Sequence, residues 1–250
     1  MTLETLELLQ LADACFPSGG FAFSSGLESL AKLGYVKRME DFLQYLDCHL
    51  DQITSAELPF LNSAYAESGP SSFPSGPAAA AGPAPEGGMQ EGGSPGPGFR
   101  EVVLEWDAWL FLPAQRRASL SQGRAWARAM EETFDAPGPG AVRPWFLREK
   151  LPLHFLMVFA ATLRSGGVSL ADAQSLLLHM AMRDQLGAAV RLGLLGSLQA
   201  QKLHRRFIAV GEGYRAARKD WSYLSAMRAA PMIDMAVASH PHLYSKLFQS

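Results

Sequence analysis

Six histidines, two cysteines and 24 acidic residues are the side chains of this chain that could ligate a metal or move a proton. Only Cys48-His49 and His240-Pro241-His242 set metal-type ligands close together in sequence. A closed site needs four ligands at matched spacing, so no resident metal is expected, and His240 and His242 are weak candidates for transition-metal capture. Pro17-Ser18-Gly19-Gly20 has the small residues of a phosphate loop but neither the following Lys-Ser/Thr nor a preceding strand. Gly-x-Ser-x-Gly is absent and no triad is legible, so no catalytic residue is assigned. A metal-dependent hydrolase built on His154, His179 and His204 would require the fold to converge them, and their spacing gives no sign of it.

Charge offers two further candidates. Asp184 and Arg191, seven residues apart, fall on roughly one face of a strongly apolar helix, where each needs a partner inside the core or across a subunit interface. Arg116, Arg117, Arg124 and Arg128 recur at helical spacing, the pattern of a solvated face; an arginine finger toward a GTPase is a use that the sequence cannot select.

The elements that must position these groups are helical. The chain has 250 residues, 48% of them hydrophobic, with a formal net charge of -2, which gives one sizeable core and no electrostatic attraction to nucleic acid. Two cysteines make no disulfide framework, no apolar run is long enough for a membrane span, and a reducing cytoplasm is the expected setting. Leucines at 3, 6, 8, 9 and 11 predict a first helix, followed by a rigid corner in which Pro17 fixes one dihedral while Gly19 and Gly20 permit positive φ. Ser25 and Glu28 have capping-box spacing and predict a helix through Leu27, Leu30 and Ala31 to Gly34. Further helices are expected from Asp41, over Val102–Leu112, Arg116–Phe134 and Leu151–Leu163, from an N-cap at Ser169, over a central Leu176–Leu195, over Leu198–Val210 and Tyr214–Met227, and from Pro231. No alternating strand occurs, so the class is all-α, a single domain of roughly eight to ten helices. Residues 68–98, rich in Gly and Pro, read as a long flexible insertion between two helices of that domain.

Four ordered blocks carry a resemblance. Leu8-Leu9-Gln10-Leu11-Ala12, Phe16-Pro17-Ser18-Gly19-Gly20-Phe21-Ala22 and Ser24-Ser25-Gly26-Leu27-Glu28 together resemble the N-terminal signature of the urease accessory protein UreF family. Arg117-Ala118-Ser119 with Gln122-Gly123-Arg124 is similar to the family's Arg-Ala-Ser and glycine helix. Ala188-Ala189-Val190-Arg191-Leu192 through Leu195-Gly196 is similar to its Ala-Ala-Val-Arg-Leu block, and Pro231, Asp234, His240 and Leu247-Phe248-x-Ser250 to its tail. Gln115 and Arg116, Leu194 and Lys246 depart from the usual pattern.

The resemblance implies an all-helical, non-enzymatic and typically dimeric subunit. Such a subunit bridges a UreD/UreH scaffold and the nickel-carrying GTPase UreG, coupling GTP hydrolysis to nickel loading of apo-urease. It implies no tightly bound cofactor: nickel is handled by the complex and GTP is bound by the partner. Partner-binding residues expected from it are Phe16, Pro17, Gly19, Gly20, Phe21, Ser25, Gly26 and Glu28 in the corner, and Arg117, Ser119, Gly123 and Arg124 in the arginine helix. Asp184, Arg191, Asp234, His240, Lys246, Leu247, Phe248 and Ser250 complete the set. Residues 231–250 are expected to be a docking tail, its terminal Leu-Phe end loose in the free protein and ordered on the scaffold. A generic helical adaptor without a urease role is the competing expectation.

Overall fold

The apolar periodicities become helices in the computed structural model, which describes residues 3–68, 97–136 and 138–249. In chain order these are α1 (Thr5–Ala12), α2 (Leu27–Lys32), α3 (Met39–Gln52), α4 (Leu58–Glu67), α5 (Pro97–Trp109), α6 (Pro113–Thr133), α7 (Val142–Arg148), α8 (Phe155–Ser165), α9 (Leu170–Arg191), α10 (Ser197–Arg218) and α11 (Pro231–Ser239). No strand occurs among the described residues, and the class is all-α. None of the described helices is long and apolar enough to cross a membrane.

Local chemistry sets the boundaries. Ser169 caps α9, its Oγ accepting the Asp172 N–H at 3.1 Å. The Asp41 carboxylate accepts from the backbone N–H groups of Lys37 and Arg38 at 3.0 and 2.9 Å, so α3 begins at Met39, two residues before the expected start. Pro113 follows the end of α5 and is also the first residue of α6, where its missing N–H costs nothing. A π-helical turn, Ile53–Glu57, joins α3 to α4 without a break, and the Thr54 hydroxyl donates back to the Leu50 carbonyl at 2.8 Å.

Two larger differences from expectation concern α10 and the insertion. The segments Leu198–Val210 and Tyr214–Met227 are not separate helices, because α10 runs unbroken through Gly211 and Gly213 to Arg218. Glycine inside a packed helix costs only about 1 kcal/mol, which neighbouring contacts offset. The helix ends instead where Asn62 Nδ2 donates to the carbonyls of Lys219 and Trp221, both at 2.9 Å, while Gln174 holds the Asn62 oxygen at 2.7 Å. The insertion expected over 68–98 is also narrower at its flanks: Ser68 is buried and binds Arg164 through its carbonyl, and Pro97 and Gly98 belong to α5. Residues 69–96 lie outside the described residues.

The core is tightest where α6 crosses the segment leading into α8. Trp126 of α6 is fully buried, donates to Thr162 Oγ1 at 2.9 Å and is ringed by Phe16, Phe155 and Phe159 at centroid distances of 5.0, 5.7 and 5.3 Å. Gly123, one turn earlier, lets the backbones meet: a Cβ there would lie 1.9 Å from the Leu153 carbonyl oxygen. Gly187 of α9 is the opposite case, with nothing within 4 Å of such a Cβ. Urea unfolding of Gly123→Ala should therefore show a loss of at least ~3 kcal/mol, the upper range of overpacking. Gly187→Ala should match the parent or gain up to about 1 kcal/mol.

Candidate partner-binding site

The corner between α1 and α2 is built on left-handed backbone at Gly19 (φ 74°), Ser25 (φ 49°) and Gly26 (φ 87°). The expected Ser25–Glu28 capping box does not form. Gly26 occupies the N-cap, Ser25 turns left-handed with its carbonyl accepting the Tyr45 hydroxyl at 3.2 Å, and Ser24 Oγ takes the Glu28 N–H at 3.3 Å. The Glu28 side chain is thereby released from the helix end and points into the protein.

There it gathers the C-terminal tail. Glu28 is fully buried and accepts from Leu247 N–H at 2.6 Å, Phe248 N–H at 3.1 Å, His240 Nε2 at 2.9 Å and Lys32 Nζ at 2.9 Å. Lys32 also binds the Ser245 carbonyl and hydroxyl, and Gln249 N–H donates to the Ala22 carbonyl at 2.8 Å. Burial alone would raise the Glu28 carboxyl, but the hydrogen bonds from Leu247, His240, Lys32 and Phe248 outweigh it and hold the group at about 2. The expectation of a loose tail is corrected: residues 240–249 are docked on their own chain, because a buried carboxylate needs the two backbone donors that the tail supplies. His240 is buried with its Nε2 on Glu28.

Arg191 closes the same assembly. Its guanidinium lies 3.6 Å from the centroid of the Phe21 ring and 4.0 Å from that of Phe248, and it donates to the Phe21 carbonyl at 2.6 Å. Corner, central helix and tail thus meet at one cation. Asp184 does not take Arg191 as its hydrogen-bonded partner; Arg183 binds it at 2.8 Å while also donating to the carbonyls of Ala12 and Asp13. Burial raises the Asp184 carboxyl, and Arg183 partly opposes this. Gly20 is needed directly above it, since a Cβ would stand 2.4 Å from Asp184 Oδ2.

A serine, a histidine and an aspartate that the sequence did not join do converge. His154 Nδ1 lies 3.1 Å from Ser119 Oγ and its Nε2 lies 2.7 Å from Asp107 Oδ1, with Arg116 on the same carboxylate at 2.8 Å. Burial lowers the His154 imidazole, against the pull of Asp107, so it is neutral at pH 7 and relays one hydrogen bond between α5 and α6. Ser119 sits mid-helix, where neighbouring backbone N–H groups are spent on the helix and none is free to stabilise an oxyanion. His179 and His204 face each other at 5.0 Å between centroids, apart from this relay, so the three-histidine hydrolase does not form. Among the described residues no three metal-type ligands cluster.

The profile of one family, UreF, matches residues 36–208, more than half of the chain. The chain belongs to the UreF family. Urease accessory protein UreF of Trichodesmium erythraeum (strain IMS101) is 25% identical over 250 residues, covering 98% of this chain and 96% of that protein. Urease accessory protein F of Arabidopsis thaliana is 27% identical over 243 residues, with 96% and 90% covered. Urease accessory protein UreF of Chromohalobacter salexigens is 27% identical over 261 residues, with 99% and 95% covered.

The blocks that carry the UreF resemblance fall into three places. Phe21, Gly26, Glu28, Arg191, His240, Leu247 and Phe248 come together at the corner and tail, and Lys246 joins them through the Pro241 carbonyl at 2.9 Å. Phe16, Gly20 and Gly123 are set inward, Asp184 is half-buried on Arg183, and Pro17, Arg117 and Arg124 are exposed. Asp234 instead binds Arg228 at 2.8 Å and Gln115 at 2.9 Å, so the departure at Gln115 keeps a hydrogen bond there. Ser250 lies outside the described residues. Lys32, Tyr45 and Gln185 were missed; the Tyr45 hydroxyl donates to Gln185 at 2.8 Å across 140 positions, a contact with no local signal. Lys32, four residues after Glu28, did have one.

Glu28→Gln leaves Lys32 and His240 without their anion, and should cost about 3 kcal/mol with α-helical circular dichroism unchanged. The carboxylate's contribution is present above its unfolded value of 4.5 and is lost as pH falls toward about 2. Protection of the Leu247 and Phe248 amides from hydrogen exchange, relative to an unstructured peptide at the same pH, should fall over that window in the parent and be low at neutral pH in the variant.

Proposed function

We propose that this chain is a urease accessory protein, acting in urease maturation as an assembly subunit and not as a catalyst. The observation that carries the proposal is the UreF family match through the helical core, with relatives that cover the corner and tail as well. In this role it bridges a UreD/UreH-type scaffold and a UreG-type GTPase, so that GTP hydrolysis is coupled to nickel insertion into apo-urease. Nickel is cargo of the complex, GTP belongs to the partner, and the working unit is a homodimer in the cytoplasm.

The shape of the corner and tail supports such a role. The tail presents Tyr244 at 107% and Leu247 at 56% exposure, and Phe21 on the corner and Met235 on α11 are 65% and 63% exposed. Large exposed apolar side chains on these three elements are the kind of area that a partner buries. Because Glu28 and Arg191 hold this seam from beneath, its ordering entropy is spent within the free protein, which favours binding.

The test is co-expression with the scaffold, the GTPase and apo-urease. The double variant Tyr244→Ala with Leu247→Ala leaves Glu28, His240 and Phe248 in place, and should lower scaffold capture at least tenfold and reduce urease activation in step. Undiminished capture and activation would remove the seam from the partner surface, and failure of the parent chain to support activation would overturn the assignment itself.

A further inference from the structure

A cavity of about 370 Å³ lies between the corner, the second half of α9 and the first turns of α10, and its walls are unbalanced in charge. Its floor carries the smallest side chains of the two helices. Gly187 lies one turn before the end of α9 and Ala200 one turn into α10, so the reversal of the chain between the helices brings them level. A Cβ on Gly187 would have nothing within 4 Å. Around this floor stand Arg183, Arg191, His179 and His204 against a single carboxylate, Asp184, which Arg183 already binds at 2.8 Å. The outer face of α10 adds Lys202, Arg205 and Arg206, all exposed, and no acidic residue occupies the first turn of that helix.

Arg191 is the cation left over. The half-buried arginines Arg183, Arg215, Arg218 and Arg228 each bind a carboxylate, at 2.8, 2.6, 2.6 and 2.8 Å. Arg191 binds none among the described residues: Nη2 donates to the Phe21 carbonyl, and Nε is buried without a partner. The Phe21 and Phe248 rings cover the guanidinium at 3.6 and 4.0 Å, so a further group reaches it in its own plane, the approach that a carboxylate makes. Side chains on a helix lean toward its N terminus, which carries Arg191 back over Gly187 and His204, on the antiparallel α10, back over Ala200. Both therefore lean over the same floor. His204 Nε2 also lacks a hydrogen-bond partner, and His179 faces that ring at 5.0 Å between centroids. Burial lowers both imidazoles, so each is neutral at pH 7, and in the tautomer protonated at Nε2 His204 offers a donor. Donors without acceptors above a floor of Gly187 and Ala200, with Phe16, Leu186 and Val190 beside it, suit an anionic group on an apolar body. A metal ion is the poorer match, because two arginines share the walls and no three metal-type ligands cluster among the described residues.

We propose that this cavity binds a carboxylate carried on a small apolar body, with the Arg191 guanidinium as its counter-ion, His204 Nε2 as a second donor and the floor of Gly187 and Ala200 as the seat of the body. The site does not involve Tyr244 or Leu247, and its occupancy does not require the maturation role to be correct.

Calorimetric titration of the full chain with phenylacetate tests it, with phenylacetamide as the uncharged analogue of the same shape. Saturable one-to-one binding is expected, at least tenfold weaker for phenylacetamide. Arg191→Lys, which keeps a cation against Phe21 and Phe248 but loses the planar fork, should weaken it at least fivefold. Gly187→Leu alters no charge and fills the floor from a position with open space; it should abolish binding, and it keeps the test available if Arg191→Lys disturbs the tail. Binding of acetyl-glutamate N-methylamide but not of phenylacetate would assign the same carboxylate chemistry to a protein side chain. Equal binding of phenylacetamide, binding unaffected by both variants, or no saturable binding of either acid would overturn the proposal. So would inorganic phosphate bound as tightly as phenylacetate, which would leave no part for an apolar body.

Discussion

A carboxylate with no exposure to water must be surrounded by donors, and in this protein that requirement organises the corner, the second helix and the C terminus together. Glu28 takes two donors from tail backbone and two from side chains, one of them on its own helix. A carboxylate so surrounded is stable only while all four remain, which makes the tail part of the folded unit and couples residues 219 and 220 positions apart in sequence. The left-handed corner serves this by freeing Glu28 from the local cap that its spacing with Ser25 would have made.

Arg191 acts on the neighbouring side of the same seam. Stacked between Phe21 and Phe248, it converts a charge at the end of an apolar helix into a packing element, and its hydrogen bond to the Phe21 carbonyl fixes the corner against α9. With Glu28 it divides the tail into an inner half that is held and an outer half, Tyr244 and Leu247, that is displayed. A partner that buries the outer half meets a surface already arranged for it.

Elsewhere the polar groups of the interior act as ties between helices. His154 links Ser119 to Asp107, Gln52 accepts both N–H groups that precede α11 at 2.8 Å, and Asn62 with Gln174 ends α10. Each tie satisfies backbone or side-chain groups that would otherwise be buried unpaired. Glu57 is the contrast, a carboxyl on a cavity wall with no such tie among the described residues.

Much of the fold was legible in the sequence because helices are specified locally. Apolar residues at three- and four-residue steps, the Ser169–Asp172 cap, and proline and glycine at the breaks determined the all-α class and most helix positions. The ordered family blocks likewise named residues of the corner, Arg191 and the tail among others, and the fold brings those together. Spacing could not tell a capping box from a buried hub, since Ser25 and Glu28 satisfy both until the backbone at Ser25 turns left-handed. Nor could it pair Asp184 with Arg183, seat the tail on Glu28, join Ser119 to His154 and Asp107, or leave Glu57 alone beside a cavity. Those outcomes depend on which donors and acceptors meet once distant segments pack, and desolvation, which decides whether a charge is tolerated, exists only in the tertiary structure.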